Sequence, residues 1–283
     1  MAKLPTFFQL NDEAFHLFND SFNDSLVTIS LKKYFDNNVD ILGSLSYDYR
    51  KNYLSKTLEG VFYLTKYHSN VTQNWKSNDS FQTSFINRDA LFKDTSHGFI
   101  LTFNHQLKNP KFELNNFYES KYFNCGVDLE LKKLPILDMH SVFRFQNTYA
   151  GINFAIDAFG KQPLFTKFDY AIGFKTDIIS MFGTMTNKTN DFCLSIVNKI
   201  NYQFQWGIQI EWLRNISGVN HSIGFSYFKH NERNFFTKLK FENTGKLMVA
   251  CGIDILKDIS LSLTASLAHR AVNFGFGIDI AFK

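Results

Sequence analysis

The chain has 283 residues, a formal net charge of +4 and a slightly polar mean hydropathy of −0.19. It holds 33 Phe and 12 Tyr against 4 Pro and 15 Gly, an aromatic excess that suits pleated strands more than helices. No window approaches the ~18 consecutive apolar residues of a membrane-spanning helix, and no block of Lys and Arg marks a nucleic-acid-binding stripe.

In chain order, the first element lies at residues 6–20. Phe7, Leu10, Ala14 and Leu17, with Phe18 beside them, recur at helical spacing, while Asp12, Glu13, His16 and Asp20 take the remaining surface. The pattern predicts an amphipathic helix of about four turns that needs a surface to dock on. The residues ahead of it form neither a secretory signal nor an Arg-rich presequence.

From about residue 25 to the end, period two dominates. Phe168, Tyr170, Ile172 and Phe174 interleave with Asp169, Ala171, Gly173 and Lys175. Tyr202, Phe204, Trp206, Ile208, Ile210 and Trp212 oppose Gln203, Gln205, Gly207, Gln209 and Glu211. The runs from Ile259 to Leu267 and from Phe274 to Phe282 alternate in the same way. Short polar breaks divide the runs, among them Asp36-Asn37-Asn38, Ser77-Asn78-Asp79, Asn109-Pro110, Gly160 to Pro163, Ser217-Gly218 and Lys257-Asp258. Each run is close to the ~9–11 residues of a tilted transmembrane strand. Runs and breaks together give about 19 strands.

A soluble antiparallel barrel or sandwich also alternates, with its apolar face turned inward. An apolar core ringed by about 19 strands could not be filled by side chains. The expected fold is therefore an all-β transmembrane barrel, polar inside and apolar against lipid, with the helix within the pore. Residues 1–24 form the helix and hinge, and residues 25–283 the barrel.

The order of these features resembles the voltage-dependent anion channels, the mitochondrial porins. The resemblance is carried by Pro5-Thr6-Phe7-Phe8-Gln9-Leu10 with Ala14 and Phe18, by Val71 to Asp79, by Tyr170 to Asp177, and by the last two alternating runs. Asn273-Phe274-Gly275-Phe276-Gly277-Ile278 also fits the family's loose β-signal. The resemblance implies 19 strands whose first and last pair in parallel. It implies passage of ions, nucleotides and small metabolites across the mitochondrial outer membrane, often gated by voltage. Membrane lipid and self-association into homo-oligomers follow from it as partners, with no cofactor. The related protein-import pore of the same membrane is the alternative, although its long N-terminal extension is missing here. A soluble β-rich binding protein is the alternative outside membranes.

Departures from the family generate the site expectations. Its Gly-Leu-Lys triplet, implicated in nucleotide contact, aligns with Gly98-Phe99-Ile100, and Ile100 becomes a lumen-side dock for Leu10 or Leu17. Basic helix positions are Asp12, Phe15 and Asp20, and the Gly-rich hinge is Ser21-Phe22-Asn23-Asp24-Ser25. A hinge without glycine reaches positive φ less readily. Gln73 takes the place of a lipid-facing Glu, which lowers the cost of a charge in lipid. With Asp12, Glu13 and Asp20 against His16 as the helix's one candidate cation, anion preference is expected to weaken or reverse. Lumen lysines such as Lys32 and Lys175 work against that shift.

No catalytic constellation appears. The eight His residues are scattered, and Cys125, Cys193 and Cys251 share no metal-like spacing.

Overall fold

The computed structural model describes residues 4–22, 25–35, 38–77, 80–89, 92–104, 110–131, 135–157, 164–214, 218–230, 234–256, 258–268 and 271–282. A short 3-10 turn, Phe7–Gln9, leads into one α-helix, α1, Asp12–Phe18. Nineteen strands follow among these residues. The first ten are β1 Leu26–Phe35, β2 Val39–Asp48, β3 Tyr53–Leu64, β4 Ser69–Lys76, β5 Ser80–Arg88, β6 Thr95–Asn104, β7 Lys111–Glu119, β8 Phe123–Leu131, β9 Ile136–Phe145 and β10 Thr148–Asp157. The remainder are β11 Leu164–Lys175, β12 Ile179–Thr186, β13 Asp191–Lys199, β14 Phe204–Leu213, β15 Val219–Lys229, β16 Phe235–Glu242, β17 Leu247–Leu256, β18 Ile259–Ala268 and β19 Ala271–Phe282.

Every strand pairs antiparallel with its sequence neighbour, and β1 closes on β19 in parallel, Val27 opposite Phe276 through Lys33 opposite Phe282. The barrel of about 19 strands expected from alternation is the observed one. Tight turns between strands place Asn38, Asn52, His68 and Asn187 at positive φ. Asn tolerates this region better than most residues, and the Asn52 side chain also accepts a 2.8 Å hydrogen bond from Tyr47. Of the expected breaks, Asp36-Asn37, Asn78-Asp79, Asn109, Gly160 to Pro163, Ser217 and Lys257 lie outside the described residues.

Alternation sorts the side chains into two environments. On the outer face Val27, Ile29 and Leu31, Phe274 and Phe276, and Leu263 and Leu267 stand exposed. Phe85, Phe99 and Phe112 stack there across three strands, with ring centroids 5.5 and 6.1 Å apart. On the inner face Asn153, Asp169, Ser195, Gln209, Ser226, Lys238 and Thr264 are buried under the N-terminal segment or one another. A water-soluble barrel would invert this arrangement, so a soluble binding protein does not fit the outer surface. Among the described residues no helix is long and apolar enough to cross a membrane, which leaves crossing to the strands.

The helix is shorter than the four turns expected. The 3-10 turn ends at Leu10, where the Gln9 side chain has already folded back onto the Thr6 N–H at 3.0 Å. Asn11 breaks the helical path and accepts a hydrogen bond from the Ser195 hydroxyl on the wall. Only Asp12–Phe18 then continue as α-helix, about two turns. A seven-residue helix is unstable alone, so the wall supplies its stability.

The β1–β19 seam can be tested by Ile278→Pro, which removes an inter-strand donor opposite Ile29. An unsatisfied backbone group in lipid costs several kcal/mol, on the order of 3. The folded fraction, read by heat-modifiable gel mobility, should fall sharply, and an unchanged fraction would contradict the parallel seam.

Candidate functional site

The N-terminal segment crosses the inner wall of β9 to β16. Leu4, Phe7 and Leu10 pack on Val142, Tyr149, Ala171 and Phe182 in one buried cluster. Ala14, Leu17 and Phe18 form a second with Val197. Three wall glycines, Gly151, Gly207 and Gly224, permit the close approach. A Cβ on Gly151 would stand 2.8 Å from the Phe7 ring and 2.9 Å from Leu10, and one on Gly224 would stand 2.9 Å from the Phe18 ring. Either contact is too short for real carbon atoms, so these strand positions must lack a side chain for the segment to seat.

Charge pairing adds to this apolar seat. Glu13 Oε1 accepts from Lys199 Nζ at 2.7 Å and pairs with Lys175 Nζ at 2.9 Å. Lys238, only 4% exposed at its side chain, reaches Asp20 Oδ2 at 3.2 Å. The same ammonium donates to the carbonyl of His16 at 2.8 Å and to that of Asp20 at 3.4 Å. A cation at the last carbonyls of a helix satisfies orphan acceptors and complements the helix dipole. His16 Nδ1 lies 3.5 Å from Asp20 Oδ2, an i,i+4 contact on the exposed side. Burial pushes the Glu13 carboxyl upward, but its hydrogen bonds to Lys199 and Lys175 outweigh that and hold it below the usual carboxylate range.

The expected site residues therefore divide. Glu13, His16, Asp20 and Lys175 come together along the docked helix, with Asp12 in its first turn. Leu10, Ala14 and Leu17 are buried against the wall. Lys32 stands elsewhere, on β1, with its ammonium 4.7 Å from the Tyr34 ring centroid. Ile100 does face inward, but on β6, where it lines a cavity with Thr6. The expected dock of Leu10 or Leu17 on Ile100 is thus corrected: the segment lies on β9 to β16, where Gly151 and Gly224 leave room for it. Gln73 lies on the outer face, in register with Gly60 and Thr83. Asn23 and Asp24 of the hinge lie outside the described residues, while Ser21 takes positive φ, 70°, without being glycine. Lys199 and Lys238 were missed. Period two places both on the inner face, but nothing local says which strands the helix will meet.

The inner wall away from the helix is acidic. Glu59 lies on β3, Asp128 is cross-strand from Asp138, and Asp254 and Asp279 flank Ser260 across β17 to β19. Lys111 is paired with Glu113 and, at 3.4 Å, with Glu130. Lys240 pairs with Glu242 at 2.9 Å.

Comparison with known proteins agrees with this architecture. The sequence profile of the eukaryotic porin family matches residues 3–277. The non-selective voltage-gated ion channel VDAC1 of Rattus norvegicus and that of Homo sapiens are each 22% identical over 287 residues, covering 100% of both chains. The voltage-dependent anion-selective channel of Drosophila melanogaster is 20% identical over 273 residues, 96% of this chain and 95% of that one. Among solved structures, a mutant Rhodopseudomonas blastica porin aligns with a TM-score of 0.50 at 8% identity. That alignment covers 90% of this chain and 98% of the porin, a likeness of fold alone.

Because the Glu13 pKa is lowered on docking, its contribution is complete above the ordinary value of 4.5 and disappears as pH falls through the lowered one. Protection factors of the α1 amides, taken against the intrinsic exchange rate at each pH, should therefore fall on acidification into that range. Glu13→Gln at pH 7 should lower them about tenfold or more, since hydrogen bonds to charged groups contribute about 1.5–3 kcal/mol. Equal protection in both proteins would show that the ion pairs do not hold the helix.

Proposed function

The chain belongs to the eukaryotic porin family, and from that premise we propose that it forms a voltage-gated aqueous channel of the mitochondrial outer membrane. Ions and small metabolites, nucleotides and organic anions among them, are the proposed cargo. The observation that carries this reading is the closed barrel itself, apolar outside, with a polar inner face and a helix docked on one side. A sheet of this many strands leaves an interior that side chains cannot fill. Gating by voltage is supported by the names of the relatives that match the whole chain, and the mitochondrial address by the resemblance to the mitochondrial porins.

Within this reading, the pore has weakened or reversed anion selectivity. The lysines that would draw anions to the constriction are engaged: Lys175 and Lys199 by Glu13, Lys238 by Asp20. The opposite wall presents Glu59, Asp254 and Asp279, and Ile100 adds no cation to it. Fixed charges at close quarters govern which ions enter, whatever the net charge of the chain. Lys32 works in the other direction and tempers the effect.

Planar-bilayer recording under a salt gradient tests both parts. Large stepwise conductance that closes at high voltage is expected, with a reversal potential near zero or of the cation-selective sign. Folded protein that opens no channels would overturn the pore, and clear anion selectivity would overturn the charge argument.

A further inference from the structure

We propose that residues 4–10 form a strap that lifts from the wall on its own, turning at Asn11, while α1 stays docked. The two halves of the N-terminal segment are held by different means. α1 has the ion pairs of Glu13 and Asp20, with the Lys238 ammonium at its last carbonyls. Leu4-Pro5-Thr6-Phe7-Phe8-Gln9-Leu10 carries no charge. Among the described residues its one hydrogen bond to the wall runs from the Asn124 side-chain amide to the Leu4 carbonyl, at 3.3 Å. Lys167 lies 5.3 Å from the Phe8 ring centroid, on the exposed side, where such a contact contributes weakly. Burial of Leu4, Phe7 and Leu10 does the rest of the holding.

Against that burial stands what the strap covers. Asn124, His140 and Asn153 point inward from β8, β9 and β10, His140 in register with Asn153 and Asn124 with Val142. His140 is 2% exposed and the two Asn are fully buried. Neither ring nitrogen of His140, nor Oδ1 of Asn124 or of Asn153, meets a partner among the described residues. The His140 ring lies against Gly126 and beside the rings of Phe8 and Phe117, each centroid 5.4 Å away, which offer its N–H no oxygen. A buried polar group without a partner forfeits its hydration, and here four such atoms sit together. On β13 to β16, the wall that α1 meets, the one such atom is Ser226 Oγ. Lifting the strap returns the four to lumen water, so this half opens at lower cost than α1. The pivot is in place: Asn11 leaves the helical path at φ −106° and ψ 19°, and its side chain stays on Ser195. The movement changes the width of the lumen beside β8 to β10 while Glu13 keeps Lys175 and Lys199. It rests on the pore reading only in that the lumen holds water.

Two single-cysteine chains read the halves separately, with Cys125, Cys193 and Cys251 replaced by Ser. Val142→Cys lies beneath the strap and Val197→Cys beneath α1, at positions 0% and 1% exposed. Labelling by a water-soluble methanethiosulfonate is timed on the folded full chain in detergent micelles, each rate taken against the same thiol in the unfolded chain. The ratio follows the open fraction at each site. Val142→Cys should react about tenfold faster or more than Val197→Cys. His140→Leu removes two of the four partnerless atoms and should slow labelling of Val142→Cys several-fold, leaving Val197→Cys unchanged. Glu13→Gln should speed labelling of Val197→Cys and leave Val142→Cys unchanged. Equal rates at the two cysteines, an equal response of both to Glu13→Gln, or a Val142→Cys rate that His140→Leu does not slow would overturn the proposal. If His140→Leu fails to fold, the rate comparison and Glu13→Gln still decide. The assay needs no conductance, so a failure here is separate from a failure of the pore.

Discussion

A bilayer core offers no water to hydrogen-bond a peptide group, so each N–H and C=O within it must find a partner in the chain. A sheet meets that demand only when it has no edge. Strands that alternate in direction end, after an odd number, with first and last running the same way. Closing nineteen of them therefore requires one parallel pair, and β1 with β19 is that pair. Once the sheet is closed, period two does the rest, sending one residue of each pair to lipid and the next to the lumen. The outer Phe, Ile and Leu and the inner Asn, Ser, Lys and Asp are consequences of closure.

An interior of this width has room for a guest, and the N-terminal segment is that guest. Its apolar stripe would face water if undocked. Burying Leu17 and Phe18, both fully enclosed, contributes about 1.5–3 kcal/mol each, against an ordering cost of about 1–2 kcal/mol per residue. Those two side chains alone do not offset the ordering of the whole of α1, so the lysines matter: Lys175 and Lys199 on Glu13, and Lys238 on Asp20 and the helix's last carbonyls. The same pairs fix the segment's place and withdraw cations from the pore. In the proposed reading, docking and ion preference are thereby coupled through shared side chains.

Much of this was legible in the residues. Strand number, the inward phase of Lys175 and Ile100, and the outward phase of Gln73 follow from alternation, because a strand's two faces are decided locally. The length of α1 did not follow. Its helical spacing continues through residues 6–20, but the break at Asn11 depends on Ser195, far away in sequence. Nor could spacing show that Leu10 meets Val142 and Phe182 rather than Ile100. That choice is made by where three wall glycines leave space, a property of the closed barrel. Lys238 is the plainest case, one of several inward lysines until the helix terminus arrives above it.

The most direct test is the distance between the segment and the wall in a bilayer. Spin labels at Phe15→Cys, an exposed helix position, and at the β9–β10 turn position Asn147→Cys, with Cys125, Cys193 and Cys251 replaced by Ser, would report it by pulsed dipolar spectroscopy. A docked helix gives one narrow distance distribution that broadens when Leu17→Ala is added. A broad distribution in the chain with native Leu17 would mean that the segment does not rest on β9 to β16, and the account of both docking and selectivity would fail.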